Sequence, residues 1–173
     1  PWHVLFWGRS AAKKYLCLLP KEQLNILSSI SHDMSLEDIR GDRIKKLHAL
    51  RQAGMEVYPR EARRSHLIAD VLERFSYLTK TKKTVYVVGR IMAKREHGKS
   101  MFVDIKDGSG IIQLFLSRNI LEQQYDTFVD GVDIGDFLSV SGKPFRTKVK
   151  EATIEVGHWT MLAKSLRPLP EKW

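Results

Sequence analysis

KSMFVDIKDGSGIIQLFLS, residues 99–117, limits the possible folds of this chain more than any other stretch. It reads with period 2. Met101, Val103 and Ile105 share one face; Ser100, Phe102, Asp104 and Lys106 share the other. After the turn-forming DGSG, Ile112, Leu114 and Leu116 fall together, with Ile111, Gln113 and Phe115 opposite. A hairpin closed around Asp107–Gly110 sets Lys106 against Ile111, Asp104 against Gln113 and Phe102 against Phe115. The purely apolar faces then coincide, as a half-buried antiparallel sheet requires; a slip of one residue would turn every side chain over. One face therefore covers a core. The other carries two phenylalanines among polar residues, where water is expected.

Three more runs have strand character: 84–95, 137–145 and 152–162. Between the third and fourth strands lies NILEQQYDTFVDGVDIGD, helical at first and turn-rich at its end. The order strand, strand, strand, helix, strand, strand is that of the five-stranded OB barrel. Short, closely spaced strands argue against a parallel α/β sheet. Gly89 and Gly142 fall inside strands, where glycine marks a bulge or sharp bend. Upstream, Ile44, Leu47 and Leu50 recur at near-helical spacing before a stop at Gly54. A second helix is expected from His66 to Leu78, with Ile68, Val71, Leu72 and Phe75 as its core stripe. The expected class is mainly β with helices (α+β), an OB barrel preceded by two helices. The divisions are an ill-specified extension over 1–33, a helical segment over 34–82 and the barrel over 83–165. Met34, directly before the first legible helix, is a candidate start.

Charge narrows the partners. Lys and Arg outnumber Asp and Glu by 29 to 20, a net charge of +9 that favours an anionic partner, nucleic acid first. Basic residues at 40, 43, 45, 46 and 51 give the first helix either a solvated face or a phosphate-contacting one. The single cysteine, Cys17, excludes an internal disulfide and a cysteine metal cluster and fits a reducing cytosol. No apolar run is long enough to span a bilayer, so a membrane partner is not expected. His48, His66, His97 and His158 are scattered, and no catalytic set, metal site or phosphate loop emerges.

The polar side of the hairpin now acquires a use. On an OB barrel that side is open, and single strands bind there. If Val85, Val87, Gly89 and Ile91 line the interior, Arg90 and Lys94 join Phe102 and Gln113 outside. An aromatic ring stacks on an unpaired base for about 1–3 kcal/mol, whichever base it is. Choice of base comes from its edge. Gln113 offers an acceptor and donors, Arg90 only donors; together they match the two carbonyls and one N–H of uracil. Lys94, Arg95, Lys99, Arg146 and Lys148 are positioned to hold phosphates. Competing roles exist: Phe102 as packing beneath a loop, and Arg90 as the ion-pair partner of Asp104.

RIKKLHALRQAGMEVYP, DVLERF, GRIMAKREHGK, FVDIKDGSGIIQL, DIGDFLSVSGKPFRTK and KSLRPLPEKW occur in that order. As a series they resemble the N-terminal anticodon-binding region of class II lysyl-tRNA synthetases, over roughly residues 35–173. The resemblance implies an OB-fold domain that recognises a lysine tRNA with a uridine-rich anticodon. In it, Phe102 stacks the central base, Gln113 and Arg90 read its edge, and Glu151 helps to read the first anticodon base. Lys150 stands where glycine is usual, Lys94 where arginine is common, and Ala62 where an aromatic is usual. The closing LRPLPEKW resembles the linker to the catalytic domain, so residues 166–173 are read as that linker. The chain is then expected to bind tRNA without charging it, with no cofactor of its own. ATP and magnesium belong to the full-length, cytoplasmic enzyme, as does the homodimer. The alternatives are the equivalent domain of an aspartyl- or asparaginyl-tRNA synthetase, and a stand-alone OB module for single strands.

Overall fold

The computed structural model describes residues 35–169. The expected extension over 1–33 and the candidate start at Met34 lie outside them. Ten elements follow in order: α1 (Leu36–Gln52), α2 (Ile68–Glu73), α3 (Phe75–Thr81), β1 (Val85–His97), β2 (Ser100–Lys106), β3 (Ile111–Ser117), α4 (Arg118–Leu121), α5 (Gln123–Gly131), β4 (Phe137–Arg146) and β5 (Ala152–Ala163). The strands close a barrel in the order β1-β2-β3-β5-β4. All neighbours are antiparallel except β3 and β5, which run parallel through Gln113, Leu114 and Phe115 against Thr153, Ile154 and Glu155.

The hairpin register is the one its alternation dictates: Phe102 opposite Phe115, Asp104 opposite Gln113, Lys106 opposite Ile111. Met101, Val103, Ile105, Ile112, Leu114 and Leu116 are all buried. The barrel interior is completed by Val85, Val87, Ile91, Leu138, Val140, Ile154, Val156 and Met161, one continuous apolar cluster that also takes in Leu47, Leu50, Phe75 and Leu78 of the helices.

Closing so small a barrel needs close strand crossings. A Cβ on Gly142 would lie 2.1 Å from the carbonyl oxygen of Glu155; one on Gly89 would lie 3.0 Å from that of Lys106. At Gly142 the register also shifts: Ser141 pairs with His158 but Gly142 with Val156. The two glycines mark bends, as expected.

Both helical stretches differ from expectation by a break. The helix expected over 66–78 divides at Arg74 (φ −93°, ψ 14°) into α2 and α3. The break lets Ile68 and Val71 reach the core at one place and Phe75 and Leu78 at another, and it leaves Leu72 at the surface, 39% exposed. The segment between β3 and β4 breaks at Glu122, whose φ of 49° is left-handed. No helix among the described residues is long and apolar enough to cross a membrane.

Candidate nucleic-acid interface

The DGSG turn does more than reverse the chain. One carboxylate oxygen of Asp107 accepts hydrogen bonds from the amides of Ser109 and Gly110 and from the Ser109 hydroxyl; the other accepts from the Ile68 amide at the start of α2. Burial pushes the Asp107 carboxyl up, but these hydrogen bonds outweigh it and hold it below the ordinary aspartate range. Ser109 Oγ accepts from the Ala69 amide as well. The turn thus caps α2 and anchors it beside β3.

Helix α2, the outer faces of β2 and β3 and the β4–β5 turn surround an open groove of about 500 Å³. Phe102, Gln113 and Glu151 all line it, with Leu72 of α2 at its margin. The Phe102 ring lies 5.2 Å from that of Phe115, tilted by 45°, and Phe115 lies 6.0 Å from Phe145, nearly edge-on at 71°. Phe115 and Phe145 therefore support Phe102 from the side, which answers why two phenylalanines occupy the polar face. Phe102 itself is half-buried and borders open space.

Gln113 is held by its oxygen. Oε1 accepts the hydroxyl of Thr153 at 3.0 Å, which leaves the amide N–H groups for the groove. Glu151 closes the β4–β5 turn through its backbone: its carbonyl accepts from the Thr147 amide, and its amide donates to Thr147 Oγ1. Its side chain is exposed at the groove wall. Lys150, in the usual glycine position, takes φ +65°.

Two expected members are elsewhere. Arg90 pairs with Lys106 and Phe137 in the ladders, far along β2 from Phe102, and its guanidinium lies over the Phe137 ring at 4.5 Å. It neither lines the groove nor pairs with Asp104. Lys94 turns toward the end of the barrel, where Nζ donates to the Val132 carbonyl and sits 5.5 Å from the Phe128 ring. Burial there pushes the Lys94 ammonium below its ordinary range. For Lys94 the cause is a bulge. Ile91 pairs with Ile105 but Ala93 with Asp104, so Met92 is extra and side-chain parity inverts beyond it. Arg95, expected as a phosphate contact, comes to face Phe102 across the ladder. Its Nη2 donates to both carboxylate oxygens of Asp104, at 3.0 and 3.1 Å.

The other phosphate candidates, Lys99, Arg146 and Lys148, do not line the groove. Lys99 and Lys148 are exposed. Arg146 is engaged: Nη1 donates to the Lys150 carbonyl, and the guanidinium lies 5.0 Å from the Phe75 ring. Sequence reading missed Thr153, which orients Gln113, and weighed Arg90 rather than Arg95 as the partner of Asp104. Thr153 could be found only by knowing that β5 runs beside β3.

The groove offers an aromatic face, amide donors, a carboxylate acceptor and a guanidinium. Comparison with known proteins points the same way. Residues 85–162 match the family described as OB-fold nucleic acid binding domain, tRNA anticodon type. A lysine–tRNA ligase of Carboxydothermus hydrogenoformans is 44% identical over 131 residues, 76% of this chain and 26% of that protein. One of Methanoculleus marisnigri is 43% identical over 134 residues, with the same shares. One of Thermotoga maritima is 36% identical over 143 residues, 80% of this chain and 28% of the relative. The chain spans about a quarter of the length of the relatives it matches.

Proposed function

We propose that residues 85–162, which match an OB-fold nucleic acid binding domain and resemble the corresponding part of lysine–tRNA ligases, form a groove that binds the uridine-rich anticodon of a lysine tRNA. The observation that carries this reading is the half-exposed ring of Phe102 bordering the same groove as the Gln113 amide. A flipped-out central uridine stacks on Phe102. The Gln113 N–H groups meet a uracil carbonyl, and Arg95, rather than Arg90, supplies the guanidinium beside the ring. Glu151 faces the neighbouring base, where its carboxylate accepts an N–H. Lys99 and Lys148 hold phosphates on either side.

Within a longer ligase this region selects the tRNA for an ATP- and magnesium-dependent charging reaction carried out by another domain. That two-part arrangement is the reading of the whole protein; the groove itself only binds.

The deciding experiment is a titration with anticodon stem-loops carrying UUU or UCU, at one fixed salt concentration. Cytosine presents an amino donor where uracil has a carbonyl, and an unmet polar group in a closed contact costs about 1–3 kcal/mol. UUU should bind at least about fivefold more tightly, the equivalent of that range's lower end. Equal affinities would reduce the groove to a general single-strand site.

A further inference from the structure

We infer that Thr153 is a positioning residue that sets the base preference of this groove, through the orientation it imposes on the Gln113 amide. The inference rests on the anticodon-binding reading above. Thr153 is fully buried, at 0% exposure. It lies at the seam of the barrel, paired with Gln113 on β3 and with Phe145 on β4, so its backbone is held from both sides. Its hydroxyl has two acceptors in reach: Gln113 Oε1 at 3.0 Å and the Glu151 carbonyl at 3.4 Å. The shorter contact fixes the amide with its oxygen turned inward.

A glutamine side chain is nearly symmetric in shape, but its two ends are opposite in hydrogen-bond sense. With Oε1 taken by Thr153, the groove receives only donors. Donors suit the exocyclic carbonyl of uracil and oppose the exocyclic amino group of cytosine. Turned over, the same amide would place its oxygen toward the base and favour cytosine. One buried hydroxyl hydrogen, contributed by a residue that never meets the base, therefore decides which pyrimidine the groove accepts. The Glu151 carbonyl, at 3.4 Å, is the competing acceptor for the same hydrogen and the longer of the two contacts.

Thr153→Val keeps the shape and removes the hydrogen; Thr153→Ser keeps the hydrogen. Affinities of both variants for the UUU and UCU stem-loops, at one salt concentration, test the inference. Thr153→Val should lower the uracil-over-cytosine ratio by about tenfold, with most of the change coming from tighter UCU binding. Thr153→Ser should retain the wild-type ratio. A Thr153→Val protein that keeps the ratio of a discriminating wild type overturns the inference and leaves the anticodon reading intact. A wild type without uracil preference overturns that reading instead. If the valine protein does not fold, Thr153→Ala removes the same hydrogen with less bulk, and the same ratio decides.

Discussion

The rings of Phe102 and Phe115 lie 5.2 Å apart across the β2–β3 ladder, and only Phe102 borders the groove. One ring supports and the other is left to stack. Phe102→Ala should therefore weaken stem-loop binding by about 1–3 kcal/mol while the slope of affinity against salt stays unchanged, because no phosphate contact is lost. Phe115→Leu should have a smaller effect, acting only through the tilt of its neighbour. Titrations at several salt concentrations separate the two. A collapsed slope with base preference retained would place Phe102 in a different role.

Arg95 and Arg90 make a second comparison, because the bulge at Met92 turns Arg95 to the groove while Arg90, before the bulge, lies away from it. Arg95→Gln should cost about 1–3 kcal/mol of stem-loop affinity, since it removes a cation beside the stacking ring and leaves Asp104 without its partner. Arg90→Gln should leave stem-loop affinity unchanged, because the half-buried Arg90 does not line the groove. Its consequence should appear instead in the thermal midpoint, through the lost stacking on Phe137. Equal losses of affinity for the two variants would contradict the groove described here.

These positions show which features local sequence can reveal. Alternation and DGSG sufficed for the β2–β3 register because both are written within one hairpin. The bulge at Met92 has no such mark; it answers the curvature of a closed barrel, so Lys94 and Arg95 exchanged faces unannounced. The Thr153–Gln113 bond joins strands 40 positions apart and depends on the parallel β3–β5 pairing, which no local period encodes. Leu72 fits the core spacing of a continuous helix and is exposed because the helix breaks at Arg74.

Glycine at 142 is required by space. A Cβ there would lie 2.1 Å from the Glu155 carbonyl oxygen and 2.7 Å from Ile154 Cγ2, and the former is backbone that cannot rotate away. Gly142→Ala should destabilise the protein by about 3 kcal/mol, the upper part of the range for overpacking. Gly89→Ala, with its nearest backbone atom at 3.0 Å, should cost less. Denaturant midpoints of the two variants give the order directly. A Gly142→Ala midpoint equal to wild type would mean that the barrel can open at this crossing.

Lys164 joins the barrel to the segment that follows it, and its charge is completely enclosed: the side chain has 0% exposure. Nζ donates to the Gly131 carbonyl at 2.8 Å and to carboxylate oxygens of Asp133 and Asp136 at 2.6 and 2.7 Å, so its three hydrogens are all satisfied. Asp136 also accepts the amides of Asp133 and Ser165, and Lys46 of α1 reaches Asp133. The DIGD segment is thus a structural clamp. Lys164→Met should cost about 3–5 kcal/mol at neutral pH, because Asp136 is left buried without a counter-charge. The pH dependence gives the sign. Burial pushes the Asp133 carboxyl up, but hydrogen bonds from Lys164 and Lys46 outweigh it and hold it below its ordinary range. Its contribution to wild-type stability is therefore present above the unfolded-state value near 3.8 and is lost as pH falls through the lower folded value. In Lys164→Met, Asp133 keeps Lys46 but loses the hydrogen bond from Lys164, so its carboxyl is held down less. The stability gap between wild type and variant should narrow on acidification, as wild type loses the contribution of Asp133 that the variant has already partly lost. Adding Asp136→Asn to the variant should recover part of the loss at neutral pH, because the enclosed charge without a partner is removed. A gap that widens on acidification would show that the enclosed charges do not interact as the geometry requires.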